Sequence, residues 1–292
     1  MFHGFETRKI QTRDAEIHLR MAGKGAPLLM LHGYPQTHVC WHAVAPALKD
    51  DFTVVLPDLR GYGESTGPDP DPAHRNYSKR VMAADMVAMM AALGHESFHL
   101  AGHDRGGRVA YRLALDHPKQ VRRLAVLDIV PTLDVWEQMT WESALATYHW
   151  PFLAVPAPLP ERLIGSDPIF YLHHLLQRWA AKKDCFHPDA LAAYERSFSK
   201  PSVIAATCAD YRAGASVDLA DDRADREKGR RIACPVLSIW SRDYLKDKID
   251  TPSSVWRRWA EDVSELPLDC GHFVAEEAPA ETAAALRDFF IA

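Results

Sequence analysis

The 292-residue sequence predicts an α/β fold, with a mostly parallel central sheet flanked by helices and broken once by a helical insertion. Three observations carry this reading. Short apolar runs bounded by turn residues recur along the chain, and helical patterns lie between them. From about Pro131 to Arg226 that alternation gives way to helical segments rich in Trp, Tyr and His. In chain order the runs are "APLLMLHG" (26–33), "FTVVLPD" (52–58), "FHLAGHD" (98–104), "RLAVLDIV" (123–130), "PVLSIWS" (235–241) and "SELPLDCGH" (264–272). Continuous apolar runs of this length suit strands covered on both faces. "GPDPDPAHRN" (67–76) reads as a surface loop. "SKRVMAADMVAMMAALG" follows it as a helix, with Ser78 as N-cap and Gly94 as the closing glycine. The insertion carries five prolines in "WPFLAVPAPLPERLIGSDP". The mixed-sign stretch "DLADDRADREKGRR" (218–231) reads as a solvated connection back to the sheet. The expected boundaries are a core of residues 1–130 and 227–292 and a helical cap of residues 131–226.

Bulk properties exclude several classes of partner. A net charge of −5 and a pI near 6.3 argue against nucleic acid and against anionic membranes. The five cysteines are odd in number and lack CxxC spacing, so neither a disulfide framework nor a zinc site is expected, and a reducing cytoplasm is the default location. "MFHGFETRKIQTRDAEIHLR" has no apolar stretch of the signal-peptide kind, and no run of 18 apolar residues occurs.

The chemistry concentrates in "LAGHDRGGRVAYRLALDHP" (100–118). Gly102-His103-Asp104-Arg105-Gly106 fits a strand–turn–helix pattern in which glycines flank an exposed nucleophile, here an aspartate. Alone, that aspartate could equally be an N-cap. Asp128 ending the next strand and His272 following the last one complete the chain order nucleophile, acid, histidine. "LHGYPQ" (31–36) supplies a loop whose backbone N–H, at Tyr34, can join that of Arg105 in an oxyanion hole. Arg105 and Arg108 are the anomaly. A helix N-terminus already carries about half a positive charge, and two guanidinium groups are added to it.

With these motifs the chain resembles the α/β-hydrolase family over nearly its full length, through "LHGYPQ", "DLRGYGES", "GHDRGGRVAYRLALDHP" and "DCGHF". More narrowly it resembles haloacetate dehalogenases of the fluoroacetate dehalogenase type, through "DRGGR" (104–108), "LDIVPT" (127–132), "HWPFLAVPAPLPERLI" (149–164) and "DYRAGA" (210–215). Tyr34 departs from the phenylalanine common in that loop.

The resemblance implies hydrolysis of haloacetates to glycolate and halide. Asp104 would displace halide and form an ester, which water activated by His272 would hydrolyse, with Asp128 holding the imidazole. It assigns His149, Trp150 and Tyr211 to the halide, and Trp179 to the pocket lining with core packing as the alternative. It also implies a homodimer. Arg105 and Arg108, three residues apart on one helical face, would clamp the substrate carboxylate. Their plainer role is pairing with cap carboxylates or with Asp104 itself. By composition alone Trp and Tyr in a cap are packing residues. His173, His174 and His187 show no metal-ligand spacing and no HExxH occurs, so neither a catalytic metal nor a cofactor is expected. Epoxide hydrolases and haloalkane dehalogenases use the same Asp–His–Asp triad. Arg105, directly after the nucleophile, would be wasted on their uncharged substrates.

Overall fold

The computed structural model describes residues 1–245 and 251–292. Among these, eight strands form one sheet: β1 (Glu6–Gln11), β2 (Glu16–Ala22), β3 (Ala26–Leu31), β4 (Phe52–Pro57), β5 (Phe98–His103), β6 (Val121–Leu127), β7 (Val236–Ser241) and β8 (Val263–Leu268). Their order is β1-β2-β4-β3-β5-β6-β7-β8. The pairs β1–β2 and β2–β4 are antiparallel, and every other pair is parallel. The six apolar runs correspond to β3 through β8. The antiparallel hairpin β1–β2 lies in the charged opening segment, where no strand was expected. β1 is exposed at nearly every position and so lacks the alternation that marks a half-buried strand.

The parallel register places the functional ends together. Leu31 of β3 pairs with Gly102 of β5, His103 with Leu127 of β6, and Leu127 with Ile239 of β7. Gly33-Tyr34, Asp104 and Asp128 therefore emerge side by side at the carboxyl edge of the sheet, the usual ligand-binding edge of such folds. The helix Asp104–Asp116 runs back from that edge and is buried at 12 of its 13 positions, which anchors its first turn. Beside it packs the helix Lys79–Ala92, begun by the Ser78 hydroxyl accepting from Val81 N–H and ended at Gly94 with φ +86°.

Between β6 and β7 stand eight helices: Thr132–Glu137, Trp141–Ala146, His149–Ala154, Leu159–Ser166, Pro168–Trp179, Pro188–Phe198, Pro201–Gly214 and Val217–Glu227. Three of them start on proline, whose fixed φ and missing N–H suit a first helical position. The last corrects the reading of residues 218–231 as a solvated connection. Asp218, Asp222 and Asp225 share one face of that helix and are buried. Asp222 accepts from Arg112 and Tyr111, Asp225 from Arg112, and Asp218 from the Lys79 backbone N–H. Charged residues at helical spacing indicate a solvated face only when no complementary charges wait beneath them. No helix among the described residues is long and apolar enough to cross a membrane.

Candidate active site

Asp104 opens its helix at the top of β5 with φ +45°, a left-handed conformation that costs a non-glycine residue energy and presents its side chain above the sheet. Tight packing around the turn explains its glycines. A Cβ at Gly106 would lie 2.3 Å from the His32 carbonyl oxygen, and one at Gly33 would lie 2.5 Å from the Asp104 Cβ. Gly33 thus lets the loop approach closely enough for Tyr34 N–H to donate to Asp104 Oδ1 at 2.8 Å. Arg105 is the second residue of the helix, so its N–H is one of the first-turn donors without an intrahelical partner. One carboxylate oxygen is engaged in the oxyanion position, and Oδ2 is left for chemistry.

His272 faces that oxygen, with Nε2 3.8 Å from Asp104 Oδ2. Its Nδ1 lies 2.7 Å from Asp128 Oδ2, while Asp128 Oδ1 accepts from Ser241 N–H at 2.8 Å and Ser241 Oγ at 2.9 Å. Asp128 stands one residue past β6, also left-handed at φ +54°. The bond to Asp128 favours the proton on Nδ1 and leaves Nε2 facing Asp104 as an acceptor. His103 supports the turn from below. Its Nε2–H donates to the His272 carbonyl at 2.7 Å, and burial pushes the His103 ring down to about 4, so it stays neutral beneath the working histidine. Burial alone would raise the Asp104 carboxyl. His272, His103, Arg105 and Arg108 outweigh it and hold the group below the ordinary carboxylate value, so Asp104 is ionised at neutral pH.

The two arginines divide. Arg105 is fully buried and already paired: Nε donates to Asp210 Oδ2 at 3.0 Å, and Nη2 donates to Oδ1 at 2.5 Å and to the Asp210 carbonyl at 2.9 Å. This is the plainer role considered for it, a bond to a cap carboxylate, yet its Nη1 has no partner. Asp210 also takes Lys79 Nζ and the Tyr62 hydroxyl, the latter at 2.7 Å. Burial would raise the Asp210 carboxyl, but Arg105 and Lys79 push it far down. Arg108 differs. Its Nη1 donates to the Val130 carbonyl at 2.9 Å and Thr132 Oγ1 at 3.2 Å, its Nε is unpartnered, and its guanidinium lies 4.4 Å from the Trp150 ring. Among the described residues no salt bridge involves Arg108, and burial with Arg105 nearby disfavours its charge. A buried cation in that position calls for an anion. Asp210→Ala strands Arg105 and Lys79 without a counter-charge, so it is expected to cost about 3–5 kcal/mol in denaturant unfolding. A loss under about 1 kcal/mol would contradict this network.

Of the other predicted residues Trp150 lines a void with the three acid and imidazole groups, while His149, Tyr211 and Trp179 pack beside it, against one another and against Trp150 or His272. A void of about 30 Å³ is lined by Asp104, Arg108, Asp128, Trp150, Tyr244 and His272, with Val135 and Thr147 at its margin. At about 10–15 Å³ each, two or three water molecules would fill it. Around it, buried polar atoms lack partners: His149 Nδ1, the Tyr211 hydroxyl and Trp179 Nε1. Their rings touch, His149 to Trp179 at 4.5 Å and His149 to Tyr211 at 5.8 Å, and Trp150 stands 5.9 Å from Tyr211. Burial pushes His149 down to about 3, so its imidazole is neutral. Unsatisfied buried donors are costly in a core and expected in a site that awaits a polar ligand.

Several participants had no sequence signal. Lys79 lies 131 positions from its partner Asp210, Ser241 ends β7, and Tyr244 packs against His272 at 4.4 Å between centroids. Glu276 is another. It sits buried between the oxyanion loop and the insertion, accepting from Gln36 Nε2 and, at 3.0 Å, from the Tyr194 hydroxyl. Burial pushes its carboxyl up to about 8 from an ordinary 4.5. Between those values the folded protein keeps a proton that the unfolded chain releases, so stability falls as pH rises through the window. Glu276→Gln should remove this contribution. Relative to the variant, the wild type is expected to lose on the order of 2 kcal/mol between pH 5 and 8 in thermal melts. Parallel curves for the two proteins would contradict it.

Comparison with known proteins agrees with this geometry. Residues 26–279 match the model of the alpha/beta hydrolase fold family. The chain is 43% identical to a fluoroacetate dehalogenase from Burkholderia sp over 99% of its own length and 95% of the relative's. It is 33% identical to a soluble epoxide hydrolase from Corynebacterium sp. (strain C12), over 90% and 89% of the two chains. A crystal structure of an alpha/beta hydrolase from Nostoc sp PCC 7120 superposes with a TM-score of 0.97 at 52% identity, covering 99% of each chain. With the fold, the elbow and the triad in place, the chain belongs to the α/β-hydrolase family and, within it, to the haloacetate dehalogenases.

Proposed function

We propose that this protein hydrolyses small 2-halo acids, haloacetates above all, to the 2-hydroxy acid and halide. The observation that carries the reading is Arg108, a buried guanidinium without a carboxylate partner, lining the same small void as the nucleophile Asp104. With Arg105 Nη1 it supplies charge-assisted donors for a substrate carboxylate, and it offsets repulsion between that anion and Asp104.

Asp104 Oδ2 attacks the halogen-bearing carbon as the carbon–halogen bond breaks, and the halide leaves with the bonding pair. His149, Trp150 and Tyr211 meet the developing halide charge. By analogy with oxyanion donors each is worth roughly 2.7–4 kcal/mol in the transition state. His272 Nε2 then takes a proton from water, whose oxygen adds to the ester carbonyl while Tyr34 N–H and Arg105 N–H hold the oxyanion. Collapse expels the hydroxy acid, which takes the proton back from His272. In this reading residues 131–226 act as a cap that completes the site and excludes water, and Trp179 lines the pocket beside His272, 5.6 Å between ring centroids.

A homodimer formed through the cap fits the distribution of apolar surface. Of the eight exposed large apolar side chains among the described residues, six belong to the insertion: Trp141, Leu145, Leu159, Leu163, Ile169 and Phe170. All five cysteines are unpaired thiols, in keeping with a cytoplasmic location.

The test is halide release, with fluoroacetate, chloroacetate and a neutral epoxide as parallel substrates. Sustained fluoride release supports both the clamp and the halide donors. Chloride release alone retains the clamp and removes the donors from the account. Turnover of the epoxide alone overturns the role given to Arg105 and Arg108.

A further inference from the structure

Away from the catalytic void, the fold assembles one group of three metal-competent side chains among the described residues: His18, His38 and Asp58. They come from separate elements. His18 lies in β2, His38 begins the 3-10 turn His38–Trp41, and Asp58 directly follows β4. Sequence spacing could not reveal them, because 20 residues separate each from the next. One donor atom from each lies within 4.8 Å of the others. His38 Nδ1 is 2.8 Å from Asp58 Oδ1, His18 Nδ1 is 3.2 Å from Oδ2, and the two imidazole centroids are 5.1 Å apart.

We propose that these three side chains form a binding site for a divalent transition-metal ion of the zinc class, distinct from the catalytic centre. Two imidazole nitrogens and one carboxylate oxygen are a borderline donor set, suited to zinc and unlike the all-oxygen sets of magnesium or calcium. Donors around a tetrahedral ion with bonds of about 2.0–2.2 Å stand about 3.3–3.5 Å apart. The imidazole–carboxylate separations of 2.8 and 3.2 Å would open by up to about 0.7 Å, and donor atoms that now stand up to 4.8 Å apart would close toward the ion, so side-chain rotation accompanies binding. Ligation through Nδ1 places each ring proton on Nε2.

The surroundings support coordination. Backbone N–H groups of His38 and Glu64 hold Asp58, donating at 2.9 Å to Oδ1 and Oδ2 respectively. Such outer bonds orient a metal-binding carboxylate. His32, whose Nε2 is 4.0 Å from Asp58 Oδ1, is not a further ligand, because that nitrogen accepts from Leu59 N–H. All three ligands line a cavity of about 430 Å³ that also meets Phe2, Arg20 and Glu64. The cavity gives an ion a way in and leaves its fourth position for water. A bound ion would tie β2 and the end of β4 to the turn that follows the oxyanion loop, four residues after Tyr34.

The test uses the full chain without a polyhistidine tag, stripped with chelator and titrated with zinc chloride by calorimetry. Cobalt(II) absorption serves as a second readout. The expected result is one equivalent bound with micromolar or tighter affinity and a tetrahedral cobalt spectrum. Asp104→Asn should leave both unchanged, while His18→Gln and His38→Gln each weaken zinc by about tenfold or more. Absence of stoichiometric binding by the wild type overturns the proposal without reference to any variant. So does binding that survives in the double His18→Gln/His38→Gln protein, or that is lost in Asp104→Asn.

Discussion

Asp104→Asn is expected to abolish halide release from haloacetates, lowering kcat by roughly 10⁴-fold or more, the scale on which loss of a nucleophile is felt. The amide keeps the shape of the carboxylate, and its carbonyl oxygen can still accept from Tyr34 N–H in place of Oδ1. What it loses is the anionic oxygen facing His272 Nε2 at 3.8 Å. Substitution at a saturated carbon needs that charge in the first step, and no neighbouring base can create it from an amide. Binding should survive. With the repulsion between two carboxylates removed, a halo acid is expected to bind Asp104→Asn at least as tightly as the wild type by calorimetry. Turnover near the wild-type rate, in protein shown by mass spectrometry to be free of deamidation, would overturn the assignment of the nucleophile.

His272→Asn separates the two half-reactions. Alkylation of Asp104 requires no base, so the variant should release one equivalent of halide in a burst and then stop. The ester accumulates because no group remains to take a proton from the attacking water. Steady-state turnover should fall by roughly 10³-fold or more. Mass spectrometry of the Asp104 peptide should show the covalent adduct. One equivalent of halide without an adduct would contradict the ester route.

How far the site could be read in the sequence depended on how each residue is placed. The triad was legible because it rides on strand ends. A nucleophile elbow, an acid after the next strand and a histidine after the last appear as local motifs in a fixed order. Six strands announced themselves as apolar runs, although the edge strand β8 is mostly uncovered, whereas β1, exposed at nearly every position, carried no such run. Burial of charge was not legible. Asp218, Asp222 and Asp225 look like a solvated face until Arg112 and Lys79 are placed beneath them. Nor could Arg105 be told from Arg108. Both sit in one helical turn, and only the arrival of Asp210, more than a hundred residues later, pairs one and leaves the other without a carboxylate. Pairings between distant elements are decided by packing, so their members look ordinary in the chain.

The central claim is that the hydroxy acid takes its new oxygen from Asp104, and a single turnover in heavy-oxygen water tests it most directly. With enzyme in excess over fluoroacetate, the first glycolate should carry ordinary oxygen in its hydroxyl, while the label appears in the Asp104 carboxylate. Label in the glycolate hydroxyl during that first turnover would mean that water attacks the carbon directly, and the ester mechanism would be wrong.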